Sequence, residues 1–153
     1  MTTTHALPPF GTITPWGKPD EANEIAPGIW RISTSRHGGY WLSPDRLRAM
    51  PVLLRMCSLT GDAWFEEDSA AEAVVLAFPQ EAIDLWSRQS ALVALNDALP
   101  DDHKLCVLKS AAGYIIGRRC PAGQPHARHS VETWRTRRAA NNALTTGRWT
   151  LLP

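Results

Sequence analysis

With 153 residues, 44% of them hydrophobic and 20% charged, the chain can bury one well-formed core, and two independent domains would be a tight fit. No stretch approaches the roughly 18 apolar residues of a membrane span, and seven tryptophans are too much apolar surface for a disordered chain. The net charge of +1 conceals a split. Up to His103 there are 7 Lys/Arg against 14 Asp/Glu, and from Lys104 onward 9 basic residues against one acid, Glu132. Such a dipolar molecule points to an anionic partner for its basic end.

Residues 1–15, rich in Thr and Pro, read as an irregular lead-in. Met1 to Pro9 has no basic run followed by an apolar run, so no signal peptide is expected. Ile29 to Thr34 alternates apolar and polar residues, as a half-buried strand does. His37-Gly38-Gly39 allows a tight turn before Tyr40-Trp41-Leu42, which makes 29–42 a hairpin. Ser43-Pro44-Asp45 opens a helix with a capping hydroxyl, Pro at the first helical position and an early acid; Pro51 stops it near Met50. Glu66-Glu67-Asp68 precedes Ala70 to Phe78. The acids suit a helix's first turn, but Val74-Val75-Leu76-Ala77-Phe78 suits a buried strand, and strand is the reading adopted.

Pro79 to Leu99 carries the strongest helical pattern, with Ile83, Trp86 and Val93 on one strip and Leu85, Leu92, Leu95 and Leu99 on its neighbour. Leu105–Leu108 and Tyr114–Ile116 form a hairpin with Gly113 in its loop. A loop of Pro, Gly and His runs from Cys120 to His129, and Val131 to Arg135 reads as a strand. Thr136 then caps a helix through Thr146, Gly147 ends it, and Arg148 to Leu151 closes as a strand. The expected fold is α+β: an antiparallel sheet with helices packed on one face, forming a single compact domain over 16–153. Its parts are a first half to about residue 80, a helix over 79–99 and a basic hairpin-plus-helix module over 104–153.

Two groups could carry chemistry. His37 with Glu66, Glu67 and Asp68 would suit general acid–base work if the histidine faced those carboxylates, although an acid triplet before an apolar run is usually a solvated cap. The basic block offers Arg118 and Arg119 at a strand end, Arg135, Arg137 and Arg138 around the start of the last helix, and Arg148 beyond it. Two arginines in a helix's first turn oppose its macrodipole by a few tenths of a kcal/mol each, a cost offset where an anion sits there. Trp134, Trp149 and Tyr114 could then stack on bases, or could simply be core. Cys120, His126 and His129 match no zinc spacing, so no metal is expected. No phosphate-binding glycine loop is present, and no cofactor is assigned. Three scattered cysteines (Cys57, Cys106, Cys120) suit reduced thiols in a cytoplasm.

The motifs Thr14-Pro15-Trp16-Gly17, Ile25-Ala26-Pro27-Gly28-Ile29, Ser33-Thr34 before His37-Gly38-Gly39, Leu42-Ser43, Trp64 to Asp68 and Ala77-Phe78-Pro79 together carry a resemblance. Over about its first half the chain resembles an uncharacterised domain family of proteobacterial plasmid, phage and integrative-element proteins. The second half is similar to a hairpin-plus-helix module common in the same elements. The family has no activity to carry over. The resemblance implies an accessory protein of mobile DNA in a bacterial cytoplasm, a setting in which small proteins often block CRISPR or restriction systems. The leading expectation is therefore a non-enzymatic binder of a protein or nucleoprotein complex of a host defence system. The alternatives are a small hydrolase or nuclease using His37 with Glu66, Glu67 or Asp68, and a direct nucleic-acid binder using the arginine block.

Overall fold

The fold comes from a computed structural model that describes residues 8–11, 13–81, 88–121 and 126–153, with Thr60 and Arg88 described by their backbones only. In chain order the elements are β1 (Glu21–Ala26), β2 (Ile29–Ser33), β3 (Gly38–Leu42), α1 (Pro44–Ala49), α2 (Val52–Arg55), β4 (Trp64–Glu66), α3 (Ala71–Ala77), α4 (Arg88–Ala98), β5 (Leu105–Ser110), β6 (Gly113–Arg118), β7 (Ala127–Arg128) and α5 (Arg137–Thr146). The chain is a single compact α+β domain whose strands are all antiparallel, and they divide into two sheets rather than one: β1-β2-β3-β4 and β5-β6-β7. Helices connect them. α3 packs on β3 and β4, α4 on α3, and α5 on α4, β5 and β6. One apolar core spans all of these layers, from Ile29, Leu42 and Phe65 through Val74 and Leu95 to Ile116, Ala143, Trp149 and Leu151.

Local signals explain several elements. Ser43 caps α1, its Oγ accepting from Arg46 N at 3.3 Å, with Pro44 inside the first turn and Pro51 after the last. Thr136 caps α5 by accepting from Ala139 N at 3.1 Å, and Gly147 ends it at φ 67°, a left-handed geometry that favours glycine. The 29–42 hairpin forms, with Ile29 opposite Leu42 and Trp30 opposite Trp41, but its turn is Thr34–His37, closed by Thr34 N donating to His37 O at 2.9 Å, and Gly38 and Gly39 are strand residues of β3 rather than the turn.

Three further expectations are corrected. Ala71–Ala77 is a helix, not a strand. Its residues Ala71 to Leu76 are all buried, so no polar face marks a period of 3.6, and a helix enclosed on every side reads like a buried strand. Val131–Arg135 and Arg148–Leu151 form no strands; only isolated bridges occur, Tyr114 with Trp134 and Ser130 with Leu151. Along the first segment the Arg128 guanidinium donates to the carbonyls of Val131 (2.5 Å) and Glu132 (3.3 Å), which are thereby withheld from a ladder. Of the helix expected over 79–99, Arg88–Ala98 is helical and Pro79 to Glu81 form a turn, while 82–87, with Ile83, Leu85 and Trp86, lie outside the described residues.

The outer face of the first sheet carries tryptophans. Trp30, Trp41 and Trp64 form one cross-strand row. Phe10 sits among them, its ring centroid 5.0 Å from that of Trp64, 5.5 Å from Trp41 and 6.1 Å from Trp30. Trp16 stands edge-on to Trp64 at 5.6 Å. Gly39 makes room for it, because a Cβ there would lie 2.5 Å from the Trp16 ring.

Candidate anion-binding surface

The basic module is organised by its hairpin. β5 and β6 pair from Leu105–Arg118 to Ser110–Gly113, which sets Lys109 opposite Tyr114. Tyr114 and Trp134 exchange two backbone hydrogen bonds of 2.8 Å, tying the start of β6 to the segment that leads into α5. Arg137 is then fixed from two directions. Its guanidinium lies 5.3 Å from the Tyr114 ring centroid, and its Nη1 donates to Val107 O at 3.3 Å. Lys109, Arg135, Arg137 and Arg138 are all exposed around this junction. Lys109 escapes a sequence reading because only the hairpin register brings it here.

Among the described residues no acid pairs with these cations. The ion pairs among the described residues are Arg46–Glu81 at 3.0 Å, Arg48–Asp45 and His103–Asp102, and none involves Arg118, Arg119, Arg135, Arg137, Arg138 or Arg148. Glu132, the one acid of the C-terminal block, is engaged elsewhere, accepting from Thr150 N (2.9 Å) and Thr150 Oγ1 (2.7 Å). These bonds hold its carboxyl below the usual range against the opposing effect of burial, which is the largest single influence on it.

The arginines do not form one patch. Arg118 lies four residues along β6 from Tyr114, about 13 Å at the rise of a strand. It stands beside a different set of groups. Burial first, then the Arg118 and His103 charges, hold His129 below the ordinary histidine range. Asp102, accepting from His103 Nδ1 at 2.8 Å, is held low chiefly by that bond. Arg118 Nε and His129 Nε2 are buried and have no partner among the described residues. Arg119 is exposed at this corner, and Arg148 is exposed just past the end of α5.

The structure also divides the acidic triplet. Glu66 closes its own turn, its Oε2 accepting from Asp68 N (3.0 Å) and Ser69 Oγ (2.7 Å). Glu67 joins the β2–β3 turn instead. Its N–H donates to Gly38 O at 3.1 Å, and its Oε2 lies 3.0 Å from where a Gly38 Cβ would be. Asp68 is exposed. His37 is exposed at the same corner, and Thr34 Oγ1 orders the turn by accepting from His37 N (3.1 Å) and donating to His37 O (2.6 Å). Tyr40 lies between Arg31 and Glu67; burial pushes its hydroxyl up, Arg31 opposes and Glu67 adds. A cleft of about 190 Å³ lined by Glu21, Asn23, Arg31 and Ser33 opens nearby on this face. Among the described residues no group of three His, Cys, Asp or Glu side chains could hold a metal ion. Cys120 N donates to His126 Nδ1 at 3.2 Å, and no described helix is long and apolar enough to cross a membrane.

The profile of a domain of unknown function, DUF7007, matches residues 9–120. The chain belongs to the DUF7007 family. No curated protein and no solved structure matches it. The DUF7007 match reaches well past the first half of the chain, taking in the first sheet, α1 to α4 and the β5–β6 hairpin. Lys109, Arg118, Arg119 and the His37–Glu67 corner fall inside the DUF7007 region, whereas Arg135, Arg137, Arg138 and Arg148 lie beyond it.

Proposed function

We propose that this DUF7007 protein is a non-enzymatic binding protein that engages an anionic surface of a macromolecular partner through Lys109, Arg135, Arg137 and Arg138. The observation that carries this reading is the exposure of those three arginines together with the lack of an ion pair to any of them among the described residues, with Glu132 committed to Thr150. An exposed cluster of one sign steers association and supplies charge-assisted hydrogen bonds, and Arg forks suit carboxylate or phosphate. Arg137 is already immobilised over Tyr114, so it loses little side-chain entropy on contact. Placed in a proteobacterial mobile element and acting in the cytoplasm, such a protein fits a counter-defence inhibitor of anti-CRISPR or antirestriction type. Its partner is then a protein or nucleoprotein complex of the host defence system.

The test is capture of the partner from a host lysate at rising salt, followed by the same capture with Arg135→Glu, Arg137→Glu and Arg138→Glu combined. Capture that weakens steeply with salt and disappears in the triple variant supports the reading. Capture indifferent to both overturns it. A random DNA duplex is the parallel arm: tight, salt-sensitive binding to it would make nucleic acid itself the partner.

A further inference from the structure

We propose a small-molecule site that is separate from the arginine surface, in a cavity of about 570 Å³ where the α1–α2 corner, the end of α3 and the final residues of the chain meet. That volume falls within the range of ligand pockets, roughly 300–1,000 Å³. Met50, Leu76 and Leu151 give it an apolar interior, and Val52, 59% exposed, stands at its opening. Arg48 and Arg55 are its charged side chains, Pro153 stands in the same lining, and no Asp or Glu lines it among the described residues. The chemistry is that of an amphiphile: an aliphatic body in contact with aliphatic side chains, and one negative head between two guanidinium groups.

Both arginines have capacity to spare. Arg48 pairs with Asp45, but the two side chains are 70% and 87% exposed, so solvent screens the pair and a guanidinium fork remains free for a second anion. Arg55 makes no side-chain hydrogen bond or ion pair among the described residues, and its Nε is buried without an acceptor. Desolvating a guanidinium at an apolar wall is costly, and an anion beside it offsets that cost. The geometry points to a small aliphatic carboxylate or phosphate monoester, bound tail inward with its head at Arg48 and Arg55.

The experiment is calorimetric titration of the full chain with octanoate and with octyl phosphate below their micelle concentrations, with octyltrimethylammonium as the cationic match. Saturable one-to-one binding of either anion, with none of the cation, is the expected result; which anion binds more tightly identifies the head group. Arg48→Gln should weaken binding about tenfold, the scale of a charge-assisted contact. Val52→Trp should block the opening while leaving the fold's circular dichroism unchanged. Arg55→Gln should act like Arg48→Gln; if it does not fold, the exposed Arg48 and Val52 variants still decide. Equal binding of the cation, binding that survives both of those substitutions, or no binding of either anion overturns the proposal.

Discussion

Glu72 is the sharpest place to test the energetic reasoning. It stands in the first turn of α3, is 2% exposed, and its Oε2 has no hydrogen-bond partner among the described residues. Burial pushes its carboxyl up; its own backbone N–H at the helix start counteracts this, and the charges of Asp97 and Glu66 reinforce it. The Cys57 thiol is pushed up to about 12, by burial first and then by Glu72. The carboxyl pKa is thus higher in the folded than in the unfolded chain. Stability from this group is fully present below the unfolded value, about 4.3, and is lost as pH rises through the folded one. Glu72→Gln removes the charge and should flatten that loss. Glu72→Met removes the unsatisfied group as well, worth about 1–3 kcal/mol, while giving up roughly 0.3–1 kcal/mol of charge at a helix N-terminus. The net expectation near neutral pH is a gain of between about zero and about 2.7 kcal/mol, or a melting temperature higher by roughly 2–4 °C for each kcal/mol. Urea unfolding followed by tryptophan fluorescence across this pH range measures it. A Glu72→Gln protein with the parent's pH slope, or a Glu72→Met protein less stable than the parent at neutral pH, would refute the argument.

His129 should show the opposite sign. Because its pKa is depressed in the fold, its contribution is present above the unfolded value, about 6.5, and fades as pH falls toward the folded one; His129→Phe should reduce acid sensitivity in the same unfolding assay. Gly39→Ala should cost on the order of 1–3 kcal/mol, the price of overpacking, with a red shift in tryptophan emission as Trp16 is displaced. Thr136→Ala should destabilise by about 1 kcal/mol through loss of the α5 cap, and Thr136→Ser should restore most of it, both read by thermal melting.

The parts of the fold legible in the sequence are those that local chemistry decides. The Ser43-Pro44 start of α1 and the Thr136 and Gly147 ends of α5 each depend on residues within a few positions of one another. What escapes depends on partners distant in sequence. β1 is an edge strand with Glu21, Asn23, Glu24 and Ile25 exposed, held by pairing to β2 rather than by any alternation of its own. α3 loses its periodicity because neighbours surround it; the 131–135 segment is a local exception, where the Arg128 side chain takes the carbonyls of Val131 and Glu132. The site divides the same way. Arg135, Arg137 and Arg138 are adjacent in the chain and so remain adjacent in space. The addition of Lys109 and the removal of Arg118 are consequences of hairpin register, and the parting of Glu66 from Glu67 follows from the pairing of β4 with β3.

The family region ends at Cys120, but the unit that can fold does not end there. Ile116 N donates to Ser130 Oγ at 3.0 Å, and Ala143, Trp149 and Leu151 complete the core that Leu105 and Ile116 begin. A fragment stopped at that boundary would bare an oily wall and an unsatisfied amide, and would be expected to clump instead of functioning as a module. Any swap of the final segment between relatives therefore has to carry its buried residues along with its surface arginines, so a change of partner here is also a change of interior.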